Sequence, residues 1–372
     1  MRQREGIPGR RPRRRLRLLA AFGALALAAS CVACSAPMYV MKASIAEVRI
    51  LRARRPIHQV LADSATPPAT RGKLSYILEA RRFAAEELGI DVGDAYTMYT
   101  HLERDTLALV VSAAPKDILA PVTWWFPIVG RVPYRGFFSV EDALEAAADL
   151  EAQGYDTYVR PTAAFSTLGW FNDPVLSTML ETDEVEVVVT VLHELSHRNL
   201  FVPGRVDFNE SFATFAGRVA AIQFFCTREG SGPSSVKCLR AQARWRDYQR
   251  FSAFLDPFRA ELERLYANPR LSYDEKVERR EEIFAAALAR FERDVMPTFE
   301  SISFAGFLAT PLNNATLLSR IRYYNRLADF EALLEEHGGD LGAAVAYLRE
   351  RARGVDDPFS LLPQGEPPSP AD

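Results

Sequence analysis

Apolar residues recur at helical spacing over residues 73–90. Leu74, Ile77, Leu78, Ala85 and Leu88 share one face there, and Gly89 marks the end. The preceding stretch, 41–65, is also helix-like and is closed by Thr66-Pro67-Pro68. Short β-rich runs at 106–113 (TLALVVSA) and 155–159 (YDTYV) predict strands, and EDALEAAADLEAQ between them predicts a helix ended by Gly154. The Pro-, Gly- and aromatic-rich stretch 121–138 predicts sheet edge and loop.

From residue 184 onward the period is almost wholly helical, with helices over about 184–200, 210–226, 236–267, 273–294, 314–336 and 340–352. Charged runs such as YDEKVERREEIF are solvated helix faces. This order of elements predicts an α+β fold, mainly helical, with a small mixed sheet and a helical C-terminal half. No repeat and no Pro/Gly/Ser linker divides the body. It reads as one unit over 35–355, with an α/β lobe (35–183), a helical lobe (184–355) and a disordered tail (356–372).

Composition adds little until charge is resolved along the chain. Of 372 residues, 48% are hydrophobic and 25% charged, enough for a sizeable core. Residues 1–17 hold eight Arg against Glu5, a local charge of +7 that leaves −10 on the rest of a chain whose net charge is −3. So acidic a body excludes nucleic acid as a partner, because phosphate binding needs a cationic surface. The basic start runs directly into LLAAFGALALAASCVACS, too short an apolar run to cross a bilayer, which takes about 20 residues. Residues 1–34 therefore read as an export signal, with a short uncleaved anchor as the alternative. RRPRRR also fits twin-arginine export, a signal diluted here by the abundance of Arg.

Two of the four cysteines, Cys31 and Cys34, sit where a bacterial lipoprotein carries its lipidated cysteine, each after small residues. Such a lipid tethers a protein to a membrane without spanning it. It places the body in the cell envelope, facing the periplasm. Cys226 and Cys238 flank TREGSGPSSVK. They either close a small disulfide loop in an oxidising compartment or stay as two buried thiols.

The chemistry concentrates in VLHELSHRNLFVPGRVDFNESFATFAG, residues 191–217. His193 and His197 at i and i+4 lie one turn apart on one helix face, close enough to hold one ion. Glu194 stands beside them, placed to take a proton from water at that ion, which is the HExxH arrangement of zinc peptidases. Glu210 follows after a Pro-Gly turn, where a second helix can fold back and supply a third ligand. Asp207 and Glu186 are rivals. Glu210 is preferred because Asp207 suits the cap of the helix that Glu210 begins. His58, His101 and His337 lack ligand spacing and read as structural or surface residues. Tyr323 and Tyr324 on a later helix are candidates to stabilise a tetrahedral oxyanion, against core packing as the alternative. In FSTLGWFNDPVL, Gly169, Trp170, Phe171 and Asn172 are candidates to line a substrate edge or simply pack. Asn313 and Asn314 read as helix caps.

NESFATFAG resembles the second-helix motif of gluzincin peptidases, whose Asn-Glu supplies the third ligand. More of the chain, from about 34 to 350, resembles the bacterial putative aminopeptidase family of predicted zinc-dependent lipoproteins. The segments that carry this likeness are CSAPMYVMKA, LRARRPI, PIVGRVPYRGFF, GYDTYVRPTAAFSTLGWFNDPVLSTML, HELSHRNLFVPGRVDFNESFATFAG and LNNATLLSRIRYYNRLADFEALLEEHGGDL. The resemblance implies a zincin-like fold, one Zn2+ on His193, His197 and Glu210, Glu194 as general base, and aminopeptidase activity. One departure stands out: the gap between HELSH and the Asn-Glu is shorter than in well-known gluzincins, so the return of Glu210 to the histidines is the distance to test.

The partners implied are a peptide substrate and, through the N-terminal lipid, a membrane; nothing in the pattern specifies an oligomer. An aminopeptidase also needs an acid for the substrate α-ammonium, and Glu181, Asp183, Glu184 and Glu186 are all in range, with an endopeptidase as the rival. The alternatives from other classes are a non-catalytic envelope lipoprotein on a zincin scaffold and a zinc hydrolase of a non-peptide amide.

Overall fold

The computed structural model describes residues 50–103, 107–126, 130–162 and 173–368, all within one unit, Ile50–Asp372. The export signal with Cys31 and Cys34, and the candidate edge residues Gly169, Trp170, Phe171 and Asn172, lie outside the described residues.

Strand β1 (Arg55–Pro56) leads into α1 (Ile57–Ala62) and α2 (Pro68–Glu86), then β2 (Met98–Thr100), β3 (Ala108–Ala114), β4 (Trp124–Phe126), β5 (Gly130–Val132) and β6 (Arg135–Phe137). The helix expected over 41–65 is thus interrupted at Pro56, which lacks the N–H that a helix interior needs. Helix α3 (Val140–Ala152) starts where the Ser139 hydroxyl accepts the Asp142 N–H at 3.2 Å, and the chain turns away at Gly154 with φ +89°. Strands β7 (Asp156–Thr162) and β8 (Val175–Leu176) complete the β-structure.

The expected single mixed sheet is instead three small ones among the described residues. One has the order β1-β2-β8, with β1 antiparallel and β8 parallel to β2. A second is antiparallel, β6-β3-β7, with Leu109 opposite Phe137 and Val110 opposite Arg160. The third is the β4–β5 hairpin. Strand β3 is buried along nearly its whole length, with α3 on one side.

The helical half begins with α4 (Glu184–Asn199) and α5 (Val206–Thr227), which pack along each other more extensively than any other pair of elements. Then follow α6 (Val236–Tyr266), α7 (Tyr273–Arg290), α8 (Gly306–Ala309), α9 (Asn314–Tyr324), α10 (Leu327–Glu336) and α11 (Leu341–Arg351). Phe208, Phe212, Phe215 and Val188 anchor one apolar core behind α4 and α5. Phe251, Phe258, Phe291 and Phe307 anchor a second between α6, α7 and α8, with Phe251 and Phe304 stacked at 4.3 Å.

Three expectations are corrected here. The helix foreseen over 314–336 is broken at Asn325 and Arg326, the latter at φ +55°. The Ser211 hydroxyl donates to the Arg322 carbonyl and accepts the Asn325 N–H, taking up backbone groups that a continuous helix would pair internally. The helix over 210–226 starts earlier, at Val206, so Asp207 lies in its first turn and does not cap it. The turn at Gly204 (φ +76°) ends at Arg205, and the helix starts four residues sooner than expected. Residues 356–368, taken as part of a disordered tail, are docked on the body. Pro358–Leu361 forms a 3₁₀ turn, Phe359 packs edge-on against Phe208 at 5.2 Å, and the Gly365 N–H donates to Asp329. One buried aromatic and a few backbone hydrogen bonds offset the entropy that the Pro-rich composition suggested would win.

The loop between α5 and α6 is tied at its base by a Cys226–Cys238 disulfide, so the two-thiol alternative does not hold.

Candidate metal centre

Helix α4 is dense in β-branched residues, and packing rather than propensity holds it helical: Val185, Val187, Val188 and Val191 are all fully buried. Asp183 caps it, accepting the N–H groups of Val185 and Glu186. His193 and His197 therefore sit one turn apart in the half of α4 that faces α5.

The return of Glu210 depends on two residues of α5. Asn209 is buried and clasps the connection, accepting the Val202 N–H and donating to the Val202 carbonyl, both at 2.8 Å. A six-residue link from Leu200 to Arg205 is thereby folded tightly enough to reverse the chain. Gly217 sits directly against the backbone of His193. A Cβ there would lie 2.7 Å from the His193 nitrogen and 2.8 Å from its Cα, so only glycine lets the helices approach this closely.

The result is a converging set. His193 Nε2 lies 3.3 Å from Glu210 Oε2, and His197 Nε2 lies 3.7 Å from the same oxygen. The ligand atoms of all three residues fall within 4.8 Å of one another. A tetrahedral ion with bonds of about 2.0–2.1 Å holds its ligand atoms about 3.4 Å apart, so the spacing fits a metal ion. The donors, two imidazole nitrogens and a carboxylate oxygen, suit a borderline divalent cation. His197 is 6% exposed, and its Nδ1 has no hydrogen-bond partner among the described residues. Neither rival joins this set. Glu186 has both carboxylate oxygens on Arg218 (3.2 and 3.1 Å), with Arg244 on one of them, and Asp207 lines a different cavity beside Arg259 and Arg322.

The electrostatics match this geometry. Burial pushes the Glu210 carboxyl up, but the hydrogen bonds of His193 and His197 outweigh it and leave it far below the usual carboxylate range. Burial pushes His197 down, and Glu210 more than reverses that. Glu194 is raised: burial acts most, the histidines oppose it, and the negative charges of Glu210 and Asp173 add to it. A carboxyl raised toward neutrality can both take and return a proton.

His193 and Glu194 open onto a cavity of about 330 Å³, lined on its far side by Tyr323 and Tyr324 from the last turn of α9. The two tyrosines differ. The ring of Tyr323 lies 6.2 Å from His193, and its hydroxyl accepts from Arg160 Nη2 at 3.2 Å. Tyr324 also reaches the cavity, yet its ring packs on Tyr248 and Phe251, both at 4.9 Å, in the second core. Burial first, then the charge of Glu210, raises the Tyr323 hydroxyl, so it stays protonated. Asn313 caps α9 through the Thr316 N–H, whereas Asn314 bonds the Pro115 carbonyl and Tyr266. His58 and His101 are exposed, and His337 closes α10 on the Leu333 carbonyl.

Several residues of the site are singled out by no motif or spacing rule. Arg160 reaches it from β7, and Tyr134 lies near enough to Glu210 and Tyr323 for both to raise its hydroxyl, after burial. Tyr96 is 2% exposed at φ +59°, next to Glu194 and Asp173, and its N–H donates to the Asp173 carbonyl at 2.7 Å. A buried aromatic residue held in the left-handed region is a strained position that the surroundings must enforce.

The family described as "Putative aminopeptidase" matches residues 38–355. The chain therefore belongs to that family, a peptidase class, and its His193–His197–Glu210 group is one that can bind a metal ion. No curated protein and no solved structure gives a significant match.

Proposed function

We propose that the chain is a zinc-dependent peptidase of zincin-like fold, held in the bacterial cell envelope by a lipid on Cys31 or Cys34. The observation that carries the reading is the convergence of two Nε2 atoms and one carboxylate oxygen beside a cavity into which Glu194 opens. The Cys226–Cys238 disulfide supports an oxidising compartment outside the cytoplasm, in line with the basic and apolar start of the chain.

His193, His197 and Glu210 would hold the ion, which supplies Lewis acidity and acidifies water toward a pKa of about 7. Glu194 takes a proton from the attacking water as the new C–O bond forms, and returns it to the leaving nitrogen as the C–N bond breaks. Tyr323 accepts a hydrogen bond from Arg160, which leaves its own O–H free to donate to the oxyanion of the tetrahedral species. Asn209 and Gly217 keep the two helices in register, so that the three ligands need no rearrangement on binding.

The test is kinetic. The zinc-loaded full chain cleaves unblocked peptides and loses the activity to a chelator. Glu194→Gln lowers kcat by roughly 10³-fold while zinc content stays unchanged. Full activity in Glu194→Gln sinks the mechanism.

A further inference from the structure

The cavity beside His193 and Glu194 has a charge pattern that peptide hydrolysis by itself does not call for. Three guanidinium groups line it, Arg160 from β7, Arg218 from α5 and Arg320 from α9. Its carboxylates are Glu194 and Glu186. Glu186 is already engaged by Arg218 and Arg244, so it has no oxygen left without a guanidinium donor.

Arg160 and Arg320 stand differently. Neither meets a carboxylate among the described residues. Arg160 donates to the Tyr323 hydroxyl, and Arg320 donates to the Gly306 carbonyl at 3.3 Å. Each also has a buried Nε with no partner among the described residues. Both side chains are only partly exposed. A guanidinium drawn out of water without an anion is costly, and a carboxylate that enters is bound by charge-assisted, often bidentate hydrogen bonds.

We infer that this cavity is a carboxylate subsite of the substrate, with Arg160 and Arg320 as its specificity-determining cations. The inference deepens the peptidase reading and rests on it for the word substrate. It selects peptides that carry an acidic group close to the scissile bond, either an Asp or Glu side chain or a free C-terminal carboxylate. By the same accounting the cavity is a poor seat for a substrate α-ammonium. The acid that would hold one, Glu186, is neutralised, and the remaining cations repel it.

The metal-free full chain is titrated calorimetrically with three blocked dipeptides: N-acetyl-diglutamyl amide, N-acetyl-diglutaminyl acid and N-acetyl-diglutaminyl amide. At least one acidic peptide is expected to bind roughly tenfold or more tightly than the neutral amide, and the one that does identifies which carboxylate is read. Arg160→Met and Arg320→Met each bring that ratio toward one, and Arg320→Lys restores part of it. Equal binding of all three peptides overturns the inference. So does a preference that survives both Met variants, or a uniform loss of all three peptides in those variants. Absence of any peptide cleavage by the zinc-loaded chain would remove the proposed activity, whereas these ratios decide the subsite separately.

Discussion

Helices α4 and α5 bring carboxylates and cationic or cation-binding groups together twice, about two turns apart, with opposite outcomes. At one place Glu186 and Asp183 meet Arg218 and Arg244. Both oxygens of each acid have a guanidinium donor, and Arg218 also lies 3.4 Å over the Tyr248 ring. Charge and hydrogen-bonding capacity are satisfied within the chain, so nothing is left to bind an ion. At the other place Glu210 faces two imidazoles through one carboxylate oxygen, at 3.3 Å from His193 and 3.7 Å from His197. Their ligand atoms lie within 4.8 Å of one another, a group that can bind a metal ion. The same helix pair thus contributes to an ion-pair network, completed by Arg244 of α6, and to a group that can bind a metal ion.

The comparison breaks most visibly if the Glu186 network is disrupted. Arg218 is 4% exposed, and Arg218→Met strips two hydrogen bonds from Glu186 while keeping much of the apolar volume. The expected loss in urea unfolding is about 3 kcal/mol, with one metal ion still bound per folded chain. Loss of metal without loss of stability would reverse the roles assigned to the two places.

Gly217→Ala acts on the crossing that both share. Its Cβ must push away the backbone of His193, so we expect about 2 kcal/mol of destabilisation and metal affinity weakened by roughly tenfold. A variant with wild-type affinity would show that the close approach does not set the ligand spacing.

A smaller effect sharpens the contrast between a satisfied ion pair and the candidate metal site. Arg246 hydrogen-bonds the Glu300 carboxylate and lowers it most, burial opposes this, and Arg250 adds to the lowering, which leaves it at about 2. Its folded pKa is depressed, so its contribution is fully present above the ordinary value near 4.5 and is lost as pH falls from there through about 2. Glu300 is well solvated, and screening limits the contribution to about 1 kcal/mol. The stability difference between wild type and Glu300→Gln should be flat above pH 5, shrink steadily below the ordinary value and vanish only below about pH 2. A difference as large at pH 2 as at pH 6 contradicts it.

How much of this could be read beforehand follows from the range of the interactions. The helices after residue 184 announce themselves through local period and caps such as Asp183 and Ser272. His193, Glu194 and His197 are legible because a helix fixes their relation at i, i+1 and i+4. Glu210 is legible as a candidate, but its arrival rests on the Asn209 clasp and the Gly217 contact, which no spacing rule encodes. Arg160, Tyr134 and Tyr96 come from distant strands and loops, and only the tertiary fold brings them to the site. The break at Asn325 was hidden because 314–336 keeps a helical period on both sides of it. Its cause, Ser211, lies more than a hundred residues away.

The most direct measurement is metal stoichiometry by native mass spectrometry on the full chain, with Glu210→Ala beside Asp207→Ala. The account predicts one zinc per chain in the wild type and in Asp207→Ala, and loss of that zinc in Glu210→Ala with the fold retained. Zinc kept in Glu210→Ala, or lost in Asp207→Ala, would contradict it.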